Sequence, residues 1–499
     1  MADQLDRSRG TRLVSSDVNL AMLLEMAADG HGERVAVGSR TGGMTFADVH
    51  RLAGDAASRL AGGDAATLAL LAENGPVVPV TLFAAAWAGV SYAPLNYRLP
   101  DAVLRRLLER LQPALVVEGD DWLAGSGHGG DGSTVPISEE SDRPAVLLFT
   151  SGTSAEPKAA VLEHDNLVSY VLNTVEFGSA DPDEATLLAV PPFHVAGVTS
   201  VLTSCYSGRR LVPLRSFSAE GWLEAAHEED VTHALVVPTM LARIVDALEA
   251  SPGSPAPKLR SLAYGGARMP APVLERALRL FPDTGFVNAY GLTETSSTIS
   301  VLDPDDHRTS AASDDPAVRR RLGSVGRPVP GVEVAVLDEA GQAAGIDVVG
   351  EICVRGPQVG GRYLDGGARH AEGGWLRTGD MGSVDAEGYL FLTGRGDDLI
   401  ISGGENISPA EVEDVLLGHP AVAAAAAVGI ADTEWGERVG AMVSLRPGAD
   451  ADPEAVRTWA AERLGSLKAP RLLVVSAELP STATGKVLRR EVKAALERQ

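Results

Sequence analysis

The chain has 499 residues, of which 45% are hydrophobic, and a formal net charge of −24 at neutral pH. This length exceeds what one hydrophobic core usually supports, so we expect two or more domains. The acidic excess argues against nucleic acid or an anionic membrane surface as a partner, since either would repel the protein. The two cysteines, Cys205 and Cys353, lie far apart and indicate neither a disulfide framework nor a zinc site.

Signals for membrane insertion are lacking. No run of about 18 apolar residues occurs, and the first thirty residues lack a basic stretch that leads into a long apolar core. We therefore expect a cytoplasmic protein without a membrane span. The sequence does not decide the oligomeric state, and a homo-oligomer stays an open option.

From the N-terminus, short apolar runs alternate with helical stretches. Strands are predicted for residues 66–71, 114–117, 186–190 and 234–237, and helices for residues 100–111 and 222–229. This alternation is typical of α/β architecture with largely buried sheets. Loops are predicted for residues 119–134, 251–257 and 303–315. We interpret the last, acidic one as a solvated loop, with a mobile flap over a binding site as the alternative.

From about residue 326 the pattern changes to shorter strands with glycine-rich turns, at residues 332–337 and 350–355. This favours a more antiparallel, barrel-like portion. After residue 397, helices are predicted at 409–417 and 452–464, around an alanine-rich run at 421–428. The alanines of that run suit a helix and its flanking valines suit a strand. The pattern predicts a separate small α+β domain.

The most informative segment is residues 149–160, where hydroxyls, glycine, proline and a lysine follow an apolar run. In a turn from a strand to a helix, backbone N–H groups point at an anion and polar side chains add donors. The added donors here are Thr150, Ser151, Thr153 and Lys158. The segment is not the common P-loop, because its lysine lies between a proline and an alanine. It predicts a site for phosphate oxygens, although ordinary turns use the same residue types.

Four further motifs follow in chain order. They are Asn-Ala-Tyr-Gly-Leu-Thr-Glu-Thr at 288–295, Arg-Thr-Gly-Asp at 377–380, Gly-Arg-Gly-Asp-Asp-Leu-Ile-Ile-Ser-Gly-Gly-Glu-Asn at 394–406 and Pro-Ser-Thr-Ala-Thr-Gly-Lys at 480–486. With these motifs, the chain resembles the AMP-forming acyl-adenylate enzymes from about residue 20 to its end. This family includes acyl- and aryl-CoA ligases, luciferases and the adenylation domains of peptide synthetases.

The resemblance implies a fold and an activity. A large N-terminal domain, residues 1–396, would hold two α/β sheet layers plus a distorted β-barrel portion. A small, mobile α+β C-terminal domain, residues 397–499, would swing about a hinge at Asp397 and would contain a strand at 421–428. The implied activity is that of an acid–CoA ligase that uses ATP, Mg²⁺ and CoA. It would convert a small-molecule carboxylic acid to an acyl-AMP and then to an acyl-CoA thioester.

The resemblance assigns the nucleoside contacts by place in the motifs. Asp380 would accept both ribose hydroxyls, and Arg395 would support the same sugar. Tyr290 would stack on adenine, with Asn288 at the exocyclic amine. Residues without large side chains would flank the base and the acyl channel, namely Gly265, Gly266 and Ala267.

It assigns the reacting groups in the same way. Thr293 would touch the α-phosphate, and Glu294 would bind magnesium through an oxygen. Lys486 would bridge the attacking carboxylate and the α-phosphate, and His194 would line the carboxylate pocket. Rotation of the small domain would then remove Lys486 and bring Gly404 to the border of the pantetheine tunnel.

The phosphate loop departs from the family pattern Thr-Ser-Gly-Thr-Thr-Gly-x-Pro-Lys-Gly. Ala155 and Ala159 stand at its last two glycine positions. Glycine serves where φ is positive or where phosphate approaches the backbone closely, so a Cβ there costs about 1–3 kcal/mol. The sequence thus leaves open an enzyme that only converts supplied acyl-AMP and CoA to acyl-CoA and AMP. Lys486 argues against it, having no evident purpose without adenylation.

Further alternatives concern the acceptor and the substrate. A ligase that loads a free-standing carrier protein would share every motif. A luciferase-like oxygenase has no sequence support. A non-catalytic nucleotide-binding scaffold would not need Lys486, Asp380 and Glu294, and all three are present. Small side chains at 194–197, 264–267 and 295–300 predict a roomy, neutral acyl pocket. They favour a bulky apolar or aromatic acid. Arg268 is the one arginine beside these segments that could pair with a second carboxylate.

Overall fold

The computed structural model describes residues 18–124, 135–138, 143–150, 157–251, 253, 255–338, 340–368, 372–402, 405–433, 435–446, 448–481 and 487–498. The helices are α1 (Ala21–His31), α2 (Phe46–Ala61), α3 (Val77–Trp87), α4 (Asp101–Arg110), α5 (Asp121–Ala124), α6 (His164–Thr174), α7 (Val195–Ser207), α8 (Ala219–Glu228), α9 (Pro238–Ala250), α10 (Ala271–Leu280), α11 (Pro304–Ala312), α12 (Pro316–Arg319), α13 (Pro409–Leu417), α14 (Pro453–Lys468) and α15 (Arg489–Leu496). Short 3₁₀ turns lie at Thr293–Thr295, Arg320–Gly323, Glu372–Gly374 and Gly396–Asp398.

The strands are β1 (Val35–Val37), β2 (Met44–Thr45), β3 (Thr67–Leu71), β4 (Ser91–Pro94), β5 (Ala114–Glu118), β6 (Val146–Thr150), β7 (Lys158–Leu162), β8 (Ala185–Leu188), β9 (Arg210–Pro213), β10 (His233–Val236), β11 (Ser261–Gly265), β12 (Gly285–Leu292), β13 (Ser297–Leu302), β14 (Arg327–Pro328), β15 (Glu333–Leu337), β16 (Gly350–Arg355), β17 (Arg362–Tyr363), β18 (Leu376–Val384), β19 (Leu390–Arg395), β20 (Ile400–Ser402), β21 (Glu405–Ile407), β22 (Val422–Asp432), β23 (Gly436–Leu445) and β24 (Leu472–Val475). The predicted strands and helices outside the loop segments are confirmed to within a few residues.

Two mainly parallel sheets organise the N-terminal part. The nine-stranded sheet has the order β14-β13-β12-β11-β10-β8-β9-β1-β2, parallel from β12 to β1 and antiparallel at both ends. The six-stranded sheet has the order β17-β7-β6-β4-β3-β5, in which β7 and β17 run antiparallel to their neighbours. Both sheets show the α/β architecture that the alternating pattern predicted.

The main core lies between these two sheets. Helices α1, α2, α3, α6 and α7 fill this space, and their apolar side chains contact Leu148 of β6 and Leu211 of β9 in one cluster. On the other face of the six-stranded sheet, Leu147 of β6 lies in a cluster with Leu107 of α4. Helices α8, α9 and α10 cover the outer face of the nine-stranded sheet. Burial on both faces explains why these strands are apolar throughout.

Two smaller sheets complete the fold. Strands β15, β16, β18 and β19 form an antiparallel sheet, which confirms the antiparallel portion predicted after residue 326. The last sheet has the order β21-β20-β23-β22, with β24 beside β23, and it packs against α13, α14 and α15 through clusters of its own. The alanine-rich run is β22, paired along its length with β23, so the predicted strand is confirmed. The fold class is therefore a large α/β part with a small C-terminal α+β domain.

The acidic segment 303–315 is mostly helical, so the predicted loop or flap is wrong. The Asp303 side chain accepts from the Asp306 N–H at 2.8 Å, and Pro304 occupies the first turn of α11. Both features favour a helix start, as do carboxylates near a helix N-terminus. Asp306 is buried and accepts from the Tyr389 hydroxyl at 2.6 Å. The acidic residues that suggested solvation are the capping signal of this helix.

The other predicted loops are partly described. Residues 121–124 of the segment 119–134 form α5, and residues 125–134 lie outside the described ranges. The described residues of 251–257 lie in neither a helix nor a strand, as predicted. Each helix in the described part of the chain is too short or too polar to cross a membrane.

Candidate active site

The predicted phosphate loop joins two antiparallel strands. Thr150 ends β6, Lys158 begins β7, and the two residues pair across the hairpin, where Thr150 Oγ1 donates to the Lys158 carbonyl at 3.3 Å. Ser151 and Thr153 lie outside the described residues. The strand-to-helix turn predicted from the sequence is therefore wrong, since α6 begins only after β7. The predicted anion binding would therefore depend on the loop donors and on the Lys158 charge rather than on the dipole of a following helix.

Arg110 anchors the base of this hairpin. Its Nη1 donates to the Pro157 carbonyl at 2.8 Å, and its guanidinium lies 5.0 Å from the centre of the Phe149 ring. Its Nη2 also pairs with Asp365. These contacts hold both strands where the loop begins and ends. The sequence does not reveal this role, because Arg110 is one of several charged residues on the amphipathic helix α4.

Ala159 lies within the strand ladder rather than in the phosphate loop. It pairs with Phe149, is fully buried, and its carbonyl accepts from the Leu364 N–H at 2.9 Å. Its φ is not positive. The expectation that this position needs glycine for its backbone conformation is therefore wrong. Ala155, the other substituted position, lies outside the described residues.

Restoring glycine at position 159 is expected to leave the rate of adenylation unchanged. The Ala159→Gly variant should instead lose about 0.5–1 kcal/mol of unfolding free energy, because glycine costs more conformational entropy in a strand than alanine does. Pyrophosphate release and urea unfolding measure the two quantities. Ala155→Gly, made in parallel, tests the loop position. Faster pyrophosphate release by Ala159→Gly alone would contradict this interpretation.

The residues predicted to flank the base, which we call the glycine corner, lie at the end of β11 and just after it; they are Gly265, Gly266 and Ala267. A Cβ on Gly265 would lie 2.4 Å from the Ala289 carbonyl oxygen of β12, and Gly266 has a φ of +78°. Both positions therefore require glycine, while Ala267 is exposed. Tyr264 is fully buried and its hydroxyl contacts His307 Nε2 at 2.8 Å. Its side chain belongs to the core behind this corner and does not line an acyl pocket, contrary to the sequence-based expectation.

Arg268 already has a carboxylate partner. Its Nη2 lies 2.5 Å from Asp414 Oδ2 on α13, in the small C-terminal domain. Burial raises the pKa of Asp414, and the Arg268 charge opposes this shift. The expectation that Arg268 could pair with a second carboxylate of a substrate loses support. In this arrangement it links the two parts of the protein.

A strained turn carries Thr293 and Glu294. After β12, these residues form a 3₁₀ turn that is followed by Ser296 and Ser297, with φ of +54° and +101°. Positive φ at residues other than glycine costs free energy and is concentrated at functional sites. Glu294 is 7% exposed, and its Oε1 accepts from the Tyr363 hydroxyl at 2.5 Å. Thr293 is half-buried beside it. Tyr363 was missed from the sequence, where nothing distinguishes it.

Asp380 lies at the centre of a second constellation. The Tyr290 hydroxyl donates to Oδ2 at 2.7 Å, and Arg395 Nε lies 3.0 Å from Oδ1, across the β18–β19 ladder. Burial, and then the neighbouring carboxylate, hold the pKa of Tyr290 well above its ordinary value. Asn288 lies on the same strand as Tyr290, and its Nδ2 donates to the Ser324 carbonyl at 3.1 Å. The structure thus brings together three of the predicted nucleoside contacts. Their roles toward a ligand stay predictions.

His194 lies at the N-cap of α7, half-buried. Its backbone N–H donates to the Pro191 carbonyl at 3.2 Å, and its ring lies 4.8 Å from the Phe193 ring. A Cβ on Gly197 would lie 2.6 Å from the same Pro191 carbonyl, so this glycine lets the helix begin close to the preceding chain. Residues 191–197 therefore fix the start of α7 and the position of His194. Its predicted contact with a carboxylate stays a prediction.

The C-terminal site residues are described only in part. The backbone of Asp397 lies in the 3₁₀ turn Gly396–Asp398, between β19 and β20. Gly404 and Lys486 lie outside the described residues. Their neighbours are paired, since Ser402 faces Glu405 across the β20–β21 hairpin and Ser481 forms a bridge with Val487.

Comparisons with known proteins identify the family of this chain. Residues 24–364 match the AMP-binding enzyme family, and residues 411–486 match the AMP-binding enzyme C-terminal domain.

A fatty acid–[acyl-carrier-protein] ligase of Streptomyces coeruleorubidus is 31% identical over 90% of this chain and 91% of its own. A feruloyl-CoA synthase of an Amycolatopsis species is 33% identical over 92% and 95%. The structure of o-succinylbenzoate CoA synthetase from Bacillus subtilis, in complex with its acyl-adenylate intermediate, superposes with a TM-score of 0.81 at 29% identity, covering 96% of this chain and 99% of its own. The chain belongs to the AMP-binding enzyme family.

Proposed function

We propose that the protein is an AMP-forming acid–CoA ligase that activates a carboxylic acid as an acyl-AMP and transfers the acyl group to the thiol of CoA. The observation that carries this proposal is the Tyr290–Asp380–Arg395 constellation beside the Glu294 turn. A carboxylate that only accepts hydrogen bonds suits two ribose hydroxyls. A lysine at a loop suits the phosphates, and a buried glutamate suits a magnesium ion that accompanies them.

The residues divide the adenylation step among them. Asp380 and Arg395 hold the ribose, and Tyr290 and Asn288 face the adenine. Thr293, Lys158 and the loop donors Thr150, Ser151 and Thr153 orient the phosphates. The attack of a carboxylate on the α-phosphate depends mainly on positioning and charge neutralisation. Lys486 neutralises charge on both reacting groups, and His194 lines the pocket that orients the carboxylate.

The Glu294 carboxylate fits a magnesium ion. It is buried, and Tyr363 contacts one of its two oxygens. Within the described ranges, no group of three or more His, Cys, Asp or Glu side chains could hold a metal. A single carboxylate together with nucleotide phosphates is nevertheless the usual environment of Mg²⁺, which retains several waters. When bound, the ion would neutralise charge on the phosphates.

Thioester formation requires a second geometry. We assign residues 1–396 and 397–499 to two domains and the hinge to Asp397, which lies in a short turn between two sheets. Rotation there would withdraw Lys486 and bring Gly404 to the pantetheine tunnel. The Arg268–Asp414 ion pair would form in one arrangement and break in the other.

The acid is proposed to be bulky and apolar or aromatic. The sequence predicts small residues around the acyl pocket, and the feruloyl and o-succinylbenzoate enzymes that the chain resembles are named for aromatic acids. A second candidate is loading of a carrier protein, since a relative at 31% identity is named a carrier-protein ligase. An enzyme fed with acyl-AMP remains the alternative that Ala155 allows, whereas Ala159 no longer supports it.

Binding measurements test the proposal without knowledge of the acid. Calorimetric titration with Mg-ATP, and separately with a non-hydrolysable acyl-adenylate analogue, should show binding of both. A screen of aromatic acids by pyrophosphate release, followed by CoA or a carrier protein as acceptor, then identifies the substrates. Binding of the analogue alone would favour the enzyme that starts from acyl-AMP, and binding of neither would exclude the ligase.

Gly404→Leu is expected to block thioester formation while sparing adenylation. The leucine side chain should fill the proposed pantetheine tunnel, which a glycine leaves open. Transfer from supplied acyl-AMP to CoA should fall below detection, and pyrophosphate release by the same variant serves as the control. Transfer at the wild-type rate would show that the tunnel assignment is wrong.

A further inference from the structure

Tyr363 connects the two parts of the site that would handle Mg-ATP. Its hydroxyl donates to Glu294 Oε1 at 2.5 Å, and the Lys158 ammonium lies 5.4 Å from the centre of its ring. One side chain therefore contacts the buried carboxylate and the lysine of the phosphate loop. A hydrogen bond to a charged group and a cation–π contact are both stabilising.

Strand β17 holds Tyr363 beside the loop hairpin. Arg362 pairs with Val161 and Tyr363 with Ala160 in the ladder, and Arg362 forms an ion pair with Glu163 at the end of β7. Because β17 adds a third strand to the β6–β7 hairpin, Tyr363 is held in the same sheet as Lys158.

The residues just before β17 hold the turn that carries Glu294. Gln358 is fully buried, and its Nε2 donates to the carbonyls of Thr295 and Thr298 at 3.1 and 2.7 Å. The Gly360 N–H donates to the Glu294 carbonyl at 2.9 Å. Residues 358–363, which we call the bracing segment, thus link the strained turn to the loop hairpin through backbone and side-chain bonds.

We propose that Tyr363 is a positioning residue for Mg-ATP. This inference rests on the proposed function. By donating to Oε1, Tyr363 fixes the orientation of the Glu294 carboxylate, which would hold the metal ion through its other oxygen, and by its ring it would keep Lys158 within reach of the phosphates. An acyl-AMP lacks the β- and γ-phosphates, so Tyr363 serves adenylation and not the later transfer to the thiol.

The test compares Tyr363→Phe with wild type in binding of α,β-methylene-ATP over a range of Mg²⁺ concentrations, by calorimetry. Phenylalanine retains the ring beside Lys158 and removes only the hydroxyl. We expect the Kd of the magnesium nucleotide to rise about 10-fold, as for the loss of a hydrogen bond to a charged group. Binding of a non-hydrolysable acyl-adenylate analogue should stay at the wild-type value.

A matched control is Tyr389→Phe, which removes a hydroxyl bonded to Asp306 at 2.6 Å, outside the motif residues. It should leave both affinities unchanged. A double-mutant cycle with Glu294→Gln measures whether the two substitutions are coupled in their effect on magnesium dependence. A purely structural role of Tyr363 would give no such coupling. If Tyr363 acts through Glu294, its substitution should have little further effect on magnesium dependence in the Glu294→Gln background. This cycle also serves if Tyr363→Phe is less stable than wild type.

The outcomes separate the inference from the proposed function. Wild type that binds the adenylate analogue but not the magnesium nucleotide would overturn both the adenylating ligase and this role. Wild type that binds both, with Tyr363→Phe unchanged, would overturn only the role of Tyr363. Equal weakening of both ligands, or additive effects in the cycle, would show that Tyr363 supports the fold rather than the magnesium site.

Discussion

Lys486→Ala is expected to lower the rate of pyrophosphate release by about 100- to 1,000-fold, the usual effect of removing one preorganised electrostatic group from a transition state. The lysine would neutralise charge on both the attacking carboxylate and the α-phosphate. Its effect should fall on kcat of adenylation, because the group acts in the transition state. Transfer of the acyl group from supplied acyl-AMP to CoA should proceed close to the wild-type rate.

Lys493→Ala is the matched control for this experiment. Lys493 lies in the same small domain, on α15, where its Nζ lies 3.0 Å from Glu437 Oε1. The variant removes the same chemical group at a partly exposed ion pair, so both half-reactions should be retained. Equal loss of both half-reactions in Lys486→Ala would indicate that this lysine stabilises the small domain instead of acting in adenylation.

Asp380→Asn is expected to weaken both half-reactions. The amide retains one acceptor oxygen, but it carries no charge. Its nitrogen must face either the Tyr290 hydroxyl or the Arg395 guanidinium, and that group then loses its acceptor. The Kd of an acyl-adenylate analogue should rise about 10- to 100-fold, as expected when hydrogen bonds to a charged group are lost. Calorimetry measures this affinity, and both half-reactions should need more nucleotide substrate.

Glu351→Gln provides the comparison within the same sheet. Glu351 pairs with Arg377 between β16 and β18, and it belongs to none of the proposed contacts with nucleotide. Removal of its charge should leave the affinity for the adenylate analogue unchanged. If Asp380→Asn reduced the unfolding free energy while keeping that affinity, Asp380 would be a structural residue and the nucleoside assignment would fail.

The sequence predicted the members of the Tyr290–Asp380–Arg395 constellation but not all of their contacts. Asp380 and Arg395 were identified by their motifs; Asp380 lies in the middle of β18 and Arg395 ends β19. The contact of Asp380 with Tyr290, 90 residues away along the chain, depends on packing of the four-stranded sheet against β12. The motifs thus indicated which residues meet at the site, but not which atoms bond to each other.

Three of the expectations that failed concern positions whose structure depends on neighbours distant in the chain. The strand-to-helix turn and the loop at 303–315 were inferred from local composition, and the need for glycine at position 159 was inferred from the family pattern. Ala159 is buried by β6 on one side and by the segment of Leu364 on the other. Helix α11 is stabilised by the contact of Asp306 with Tyr389, 83 residues away. Composition reports propensity, and tertiary contacts override it.

By itself the sequence determined the family, the order of the motifs, the buried strands and the small C-terminal domain, because these follow from residue types at short spacing. Only the tertiary structure decided that β7 follows the phosphate loop, that Arg268 pairs with Asp414, and that Tyr363 donates to Glu294 across 69 residues of chain. Strand order and register set those contacts. They arise from the packing of whole sheets, which no local pattern records.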